Sequence, residues 1–136
     1  MPILDRIRFE YPTPLLITPF GASACAAYES FPGLASQLPN PLSGAAIQRI
    51  LEFGWPIASI GANDSFTWLH DEMARDFGEH GRIDKSDCAV VHAGAVLTEL
   101  GGSVNFLREQ KGLGVRTVDL RTTIHGVEFD CEVTRP

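Results

Sequence analysis

The clearest alternation of apolar and polar residues lies near the end of the chain, over residues 115–134. It continues on both sides of His125-Gly126, which is typical of two strands joined by a two-residue turn. The opposed pairs on the apolar face would be Ile124–Val127, Thr122–Phe129, Leu120–Cys131 and Val118–Val133. On the other face Arg121 would meet Asp130. The pattern predicts a β-hairpin with one apolar side and one side in water.

A shorter alternation near the start predicts a further strand. Ile7, Phe9 and Tyr11 alternate with charged residues over residues 6–11, and Pro12 follows them. Because an isolated two-stranded hairpin is marginally stable, we expect this strand to complete a sheet with the C-terminal hairpin.

Residues 12–41 are rich in proline, so regular structure there is expected to be short. The segment has room for one or two helical turns over Ser23 to Ser30. A long irregular segment is either an arm that packs on a neighbour or plain surface structure, and the sequence leaves both open.

Three stretches have helical signals. A first helix is predicted from Asn40-Pro41, which offers a cap and a first helical position, to the Gly54–Pro56 region. A second runs from Asp64 or Ser65 to Gly78, and its apolar residues recur at helical spacing as Phe66, Leu69, Met73 and Phe77. The apolar stretch 85–100 fits a buried helix or a buried strand, and the helix is favoured because Gly101-Gly102 follows it.

A last short helix is predicted from Ser103 through Lys111. Together these elements predict an α+β fold. The expected antiparallel sheet combines the hairpin 115–134 with the strand 6–11 and packs against three to four helices. The length of 136 residues is that of a single domain, 1–136, which contains the proline-rich irregular segment 12–41.

Charge and composition narrow the classes of partner. The chain has 17 acidic and 11 basic side chains, a net charge of −6, so its average surface repels nucleic acid. No apolar run is long enough to span a bilayer, and the first residues lack a secretory pattern. An odd set of three separated cysteines is a poor disulfide framework. These features predict a soluble cytoplasmic protein that binds neither nucleic acid nor membrane.

The candidate catalytic residues are few. Cys25 lies among small residues that would let a helix N-terminus lower the pKa of its thiol, and His92 would then be its base in a Cys/His hydrolase. His70-Asp71-Glu72 and His80 are the one cluster with metal-binding residue types, but successive positions on a helix point in different directions. We therefore expect no metal. The glycine pairs are not flanked by the strand and the residues that a phosphate-binding loop requires, so we expect no cofactor site there.

One pair of short motifs resembles a known family. The stretch His-Ala-Gly at 92–94 and the stretch Thr-Val-Asp-Leu at 117–120 are similar to the central helix and next strand of hot-dog-fold thioesterases. The resemblance implies that His92 and Gly94 lie at the thioester carbonyl, with Glu99 as the nearest acid. The family typically has a second glycine where this chain has an alanine, and the match covers about a fifth of the chain.

Trp68 is the strongest candidate for contact with another protein. At the angular spacing of a helix it projects away from the apolar stripe and shares its face with Glu72 and Arg75. A large aromatic on a charged helix face is typical of a contact anchor, and Trp55 in a predicted turn is a second candidate.

The sequence thus favours a small acidic protein–protein interaction domain, such as an assembly subunit, an inhibitor or an accessory protein. Its partner would be another protein subunit or a second copy of the chain, and no cofactor is expected. The alternative is an enzyme centred on His92, either the Cys/His hydrolase or the thioesterase-like protein. The balance is against an enzyme because the candidate residues do not form a catalytic constellation.

Overall fold

The computed structural model describes residues 2–10, 19–31, 33–108 and 118–134. Over these ranges the fold is α+β, as predicted. Its helices are α1 (Ile3–Glu10), α2 (Pro19–Glu29), α3 (Gly44–Ile60), α4 (Thr67–His80) and α5 (Lys85–Glu99). Its strands are β1 (Ser103–Phe106), β2 (Leu120–Ile124) and β3 (Val127–Cys131). The contacts divide the chain into two compact units, Met1–Ala58 and Ser59–Pro136. The single domain over 1–136 stays a prediction.

The predicted strand is wrong over residues 6–10, because residues 3–10 form helix α1, and Tyr11 lies outside the described residues. Ile3 and Ile7 lie one helical turn apart, and both are buried in the core of the first unit. Phe9, which the alternation placed inside a sheet, is 83% exposed. Three alternating residues fit a strand. The isoleucines, however, are four residues apart, and this spacing places both on the buried face of a helix.

The proline-rich segment contains more helix than expected. Helix α2 covers Pro19–Glu29, which is three turns rather than one or two. The core of the first unit joins residues of α1, α2 and α3, and it includes Ile3, Ile7, Cys25, Tyr28, Leu42, Ala46 and Ile50. Gly54 of α3 lies directly against the backbone of Ala24 of α2, so no side chain fits between these two helices. Residues 12–18 and residue 32 of the segment lie outside the described residues.

Helix α3 begins and ends later than predicted. Its first turn is capped by Ser43, whose Oγ accepts a hydrogen bond from the Ala46 amide at 3.1 Å, and not by Asn40. It continues through Pro56, although this proline cannot donate the usual helical hydrogen bond. Ile57 and Ile60 beyond it are buried, and their burial offsets the lost bond.

The helices of the second unit match the sequence closely. A short 3-10 turn, Asp64–Phe66, precedes α4, and the predicted stripe of Phe66, Leu69, Met73 and Phe77 is buried. Residues 85–99 are helical, which confirms the favoured alternative. Asp84 caps this helix, with its Oδ1 accepting a hydrogen bond from the Ser86 amide at 2.7 Å.

The sheet has the order β1-β2-β3 and is antiparallel. The hairpin forms in the predicted register from Ile124 opposite Val127 to Leu120 opposite Cys131, whereas the predicted pair Val118–Val133 lies beyond the ends of both strands. The third strand is β1, so the helix predicted from Ser103 is wrong over residues 103–106. Val104 and Phe106 of β1 are buried in a strict alternation that suits a strand.

Helix α5 contacts β1 and β2. The closest approach is at Gly94, where a side-chain carbon would lie 2.4 Å from Cζ of Phe106. The ring of Phe106 also packs against that of Phe66, with 5.1 Å between the ring centroids. The absence of a side chain at Gly94 therefore lets the Phe106 ring lie against the helix.

Candidate functional site

The second unit has an open cleft of about 540 Å³ beside β1, with walls from α4 and the start of α5. Its volume is in the range of ligand-binding pockets. The lining is mostly polar and acidic. The lining residues are Trp68, Leu69, Glu72, Asp76, Asp84, Asp87, Val90, Leu107, Arg108 and Asp119.

Trp68 is fixed in the wall of this cleft by two contacts. Its indole Nε1 donates a hydrogen bond to the carbonyl oxygen of Phe106 at 2.9 Å. The guanidinium carbon of Arg108 lies 5.9 Å from the centre of the indole ring, within the range of a cation–π contact. The side chain is thus partly buried by its own chain, and its ring face already accepts a guanidinium group.

The carboxylates come from three parts of the unit. Glu72 and Asp76 project from α4. Glu72 lies one helical turn after Trp68, and Asp76 lies one turn after Glu72. Asp84 and Asp87 lie at the start of α5. Asp119 precedes β2 and also accepts a hydrogen bond from the Val133 amide at 2.8 Å.

Burial and the proximity of these acids change the titration of Asp87. Burial, and then the neighbouring carboxylates of Asp84, Glu72 and Asp76 in that order, together raise the pKa of Asp87 to about 6. The negative charges of the cleft therefore repel one another at neutral pH. Arg108 is the one basic residue among the described lining residues, so the cleft has a net negative charge.

We expect Asp87→Asn to raise the free energy of unfolding by about 1 kcal/mol at pH 7.5, after allowance for solvent screening of this partly exposed group. The pKa of the folded state, about 6, exceeds the ordinary value of 3.8. The free energy of unfolding is therefore highest below about pH 4. It falls as the pH rises through 6, because the carboxylate then ionises in the folded protein. Asparagine stays neutral, so the gain should vanish at pH 4.

Urea unfolding at both pH values measures this difference. Asp71→Asn is the matched control, because Asp71 is an exposed carboxylate of α4 outside the cleft lining. A gain for Asp87→Asn that is equal at pH 4 and pH 7.5 would contradict the raised pKa of Asp87.

The structure distributes the predicted contact residues over several places. Trp68 and Glu72 line the same cleft, whereas Arg75 is exposed on α4 and is not part of the lining. Trp55 lies within helix α3 of the first unit, partly buried, and not in the predicted turn. Contact of these residues with a partner stays a prediction.

The candidate catalytic residues lie in different surroundings. Cys25 belongs to the core of the first unit and is 2% exposed. Burial, and then the charge of Glu29, raises the pKa of its thiol, which is opposite to the activation that a nucleophile requires.

His92 and Glu99 both lie on exposed positions of α5 in the second unit. The two residues are seven positions apart, about 10 Å along the helix axis. Catalysis by these residues and the resemblance to hot-dog thioesterases stay predictions.

Among the described residues, no group of three or more His, Cys, Asp or Glu side chains is placed to hold a metal ion. The carboxylates of the cleft therefore line a space and do not converge on one point. This arrangement suits an organic cation, whose charge is spread over a larger volume than that of a metal ion.

Part of this site is recognisable in the sequence. The spacing of Trp68, Glu72 and Asp76 by four residues would have indicated one helix face with an aromatic and two acids. No local sequence pattern indicates the role of Arg108, because this role depends on the position of β1 beside α4.

No described helix is both long enough and apolar enough to cross a membrane. Comparison of the chain with protein-family models, with curated proteins and with solved structures finds no match. The function is therefore inferred from the chemistry of the cleft.

Proposed function

We propose that this protein is a small acidic protein–protein interaction domain whose cleft receives a basic side chain of a partner protein. The observation that carries the proposal is the Trp68 indole in an open cleft whose described lining has five carboxylates and one guanidinium. An aromatic face surrounded by carboxylates is suited to a lysine or arginine side chain, because the ring and the carboxylates both attract a cation.

The chain's own Arg108 supports this assignment. Its guanidinium lies over the Trp68 ring, so the ring face is already in contact with a group of the proposed type. Arg108 is exposed, and a partner arginine could replace it or lie beside it without uncovering the core. Glu72 and Asp76, which have no ion-pair partner among the described residues, would then bind the incoming cation.

The charges also favour a protein as the ligand. The chain has a net charge of −6, so a basic segment is attracted over a distance of about one Debye length before it makes contact. The polar and open character of the cleft is more typical of a surface that receives a side chain than of an enclosed site for a small substrate.

Titration with a blocked hexapeptide of alternating arginine and serine, followed by calorimetry at low salt, tests the proposal. We expect the combined change Glu72→Gln and Asp76→Asn to weaken binding at least about tenfold, which corresponds to about 1.4 kcal/mol. Binding should also weaken as salt is added, because exposed charges are screened.

The matched control is Asp71→Asn combined with Glu79→Gln. It removes two exposed acids from the same helix, and neither residue lines the cleft. An equal loss of affinity in the two double variants would show attraction to net charge alone and would refute the site. A peptide that does not bind the unaltered protein would refute it as well.

A further inference from the structure

The two edges of the sheet differ in how their backbone groups are satisfied. On the outer edge of β1, the side chain of Asn63 donates to the Val104 carbonyl at 2.9 Å, and the Phe106 amide donates to Ser65 Oγ at 3.0 Å. The indole of Trp68 donates to the Phe106 carbonyl. Three side chains therefore cover this edge and prevent the addition of another strand.

The hairpin register shows which backbone groups of β3 point away from β2. His125 and Gly126 have φ values of 51° and 78°, as in a two-residue type I′ turn. In such hairpins the residues flanking the turn form a hydrogen-bonded pair, and bonded pairs alternate along the ladder. The amide and carbonyl groups of Glu128 and Asp130 therefore point to the outer edge. No described residue bonds to them there.

The side chains beside this edge are partly apolar. Val127 is 63% exposed and Phe129 is 37% exposed, although Leu120 and Thr122 on the same side of β2 are fully buried. Helix α5 contacts β1 and β2, and the apolar side of β3 remains accessible. The outer strand thus presents exposed apolar side chains together with backbone groups that no described residue pairs with.

The other side of β3 is acidic. Glu128 and Asp130 are both exposed, and Arg121 of β2 reaches Asp130 at 2.9 Å and Glu128 at 3.8 Å. One guanidinium faces two carboxylates, so this side retains a negative charge. A strand added beyond β3 would place its own side chains directly opposite these two acids.

We propose that strand β3 binds an extended segment of a partner protein as a fourth strand of the sheet, and that basic residues alternate with apolar residues in this segment. The basic residues would lie opposite Glu128 and Asp130, and the apolar residues opposite Val127 and Phe129. The proposal concerns a different surface from the cleft and does not depend on it.

A second copy of the chain fits this edge poorly. β3 alternates strictly between apolar and acidic residues, so each antiparallel register centred on one of residues 128–131 matches the apolar sides and also opposes two acids. In the register centred on Phe129, for example, Glu128 of one copy lies opposite Asp130 of the other. Like charges in directly opposed positions destabilise a sheet, whereas opposite charges stabilise it.

The experiment uses a blocked hexapeptide in which lysine alternates with valine, together with a counterpart that has glutamate in place of lysine. Hydrogen exchange of the backbone amides is followed by NMR. With the lysine peptide we expect exchange at Glu128 and Asp130 to slow at least about tenfold, because their amides become hydrogen-bonded. The amides of Val127 and Phe129 already bond to β2 and should change little.

Substitution by proline separates the binding edge from the fold. Glu128→Pro removes an outward amide and should abolish binding of the lysine peptide while the circular dichroism of the protein is unchanged. Phe129→Pro is the matched control, because it removes an inward amide and should destabilise the hairpin. Glu72→Gln with Asp76→Asn alters the cleft and should leave the exchange effect at β3 intact.

Each other result overturns the proposal. Equal binding of the two peptides would refute the basic partner, and absence of binding would refute the added strand. Slow exchange at Glu128 and Asp130 in the free monomer would show that the chain covers its own edge. The same slow exchange in a dimer, detected by light scattering, would identify a second copy as the occupant.

Discussion

Gly54→Ala is expected to lower the free energy of unfolding by about 3 kcal/mol. A side-chain carbon at residue 54 would lie 2.1 Å from the carbonyl oxygen of Ala24 and 2.8 Å from its carbonyl carbon. These are backbone atoms of a neighbouring helix, so the contact is relieved only if α2 and α3 separate. Ala24 and Gly54 are both buried, and separation would open the core of the first unit.

Thermal unfolding followed by circular dichroism measures this loss, which should appear as a fall in Tm of about 10 °C. Gly44→Ala is the matched control on the same helix, since nothing lies within 4 Å of the added carbon. There the higher helix propensity of alanine should leave the protein equally or slightly more stable. A Gly54→Ala protein as stable as the control would contradict the close approach of α2 and α3.

Gly94→Ala should cost about 2 kcal/mol of unfolding free energy, in spite of the gain in helix propensity. The added carbon would lie 2.4 Å from Cζ and 2.7 Å from Cε1 of Phe106. That ring is 2% exposed and packs on Phe66, so it has no free space to move into. A shift of Phe106 would also disturb its carbonyl, which holds the indole of Trp68.

Two measurements check the Gly94 prediction. Urea unfolding should show the loss of stability, and the fluorescence of Trp68 in a Trp55→Phe background should shift as the wall of the cleft moves. Gly78→Ala is the control in the same unit, because its added carbon has nothing within 4 Å and should raise stability by up to about 1 kcal/mol. If both alanine variants were stabilised alike, the ring would not limit the space at Gly94.

The pairs of the hairpin from Leu120–Cys131 to Ile124–Val127 were predictable because their pairing is local. A two-residue turn at His125-Gly126 fixes the register, and the alternation of apolar residues then fixes the faces. Helix α4 was equally accessible, since Leu69, Met73 and Phe77 recur at helical spacing and are buried together.

The predictions from the sequence were wrong where contacts between residues far apart in the chain determine the structure. Residues 6–11 alternate in polarity, but the burial of Ile3 and Ile7 against α2 and α3 favours a helix. Ser103 looked like a helix cap, yet residues 103–106 are the only described strand that pairs with the free side of β2. Pro56 looked like a helix stop, but the burial of residues beyond it keeps α3 continuous.

The cleft was predictable only in part for the same reason. Trp68 and Glu72 were identified from their shared helix face, and both line the cleft. Arg108 and Asp119 reach the site through the pairing of β1 with β2, which no short sequence motif specifies. Residues that flank paired strands become neighbours only after the sheet has formed.

The two tryptophans of the chain are divided between the compact units, with Trp55 in the first and Trp68 in the second. Each unit therefore has one tryptophan as a fluorophore. Unfolding of Trp55→Phe reports on the second unit alone, and unfolding of Trp68→Phe reports on the first, with circular dichroism of the same variant as the reference. The thermodynamic cooperativity of the chain is thus open to direct measurement: coincident transitions would mean that both units unfold as one, and separate transitions that each unfolds independently.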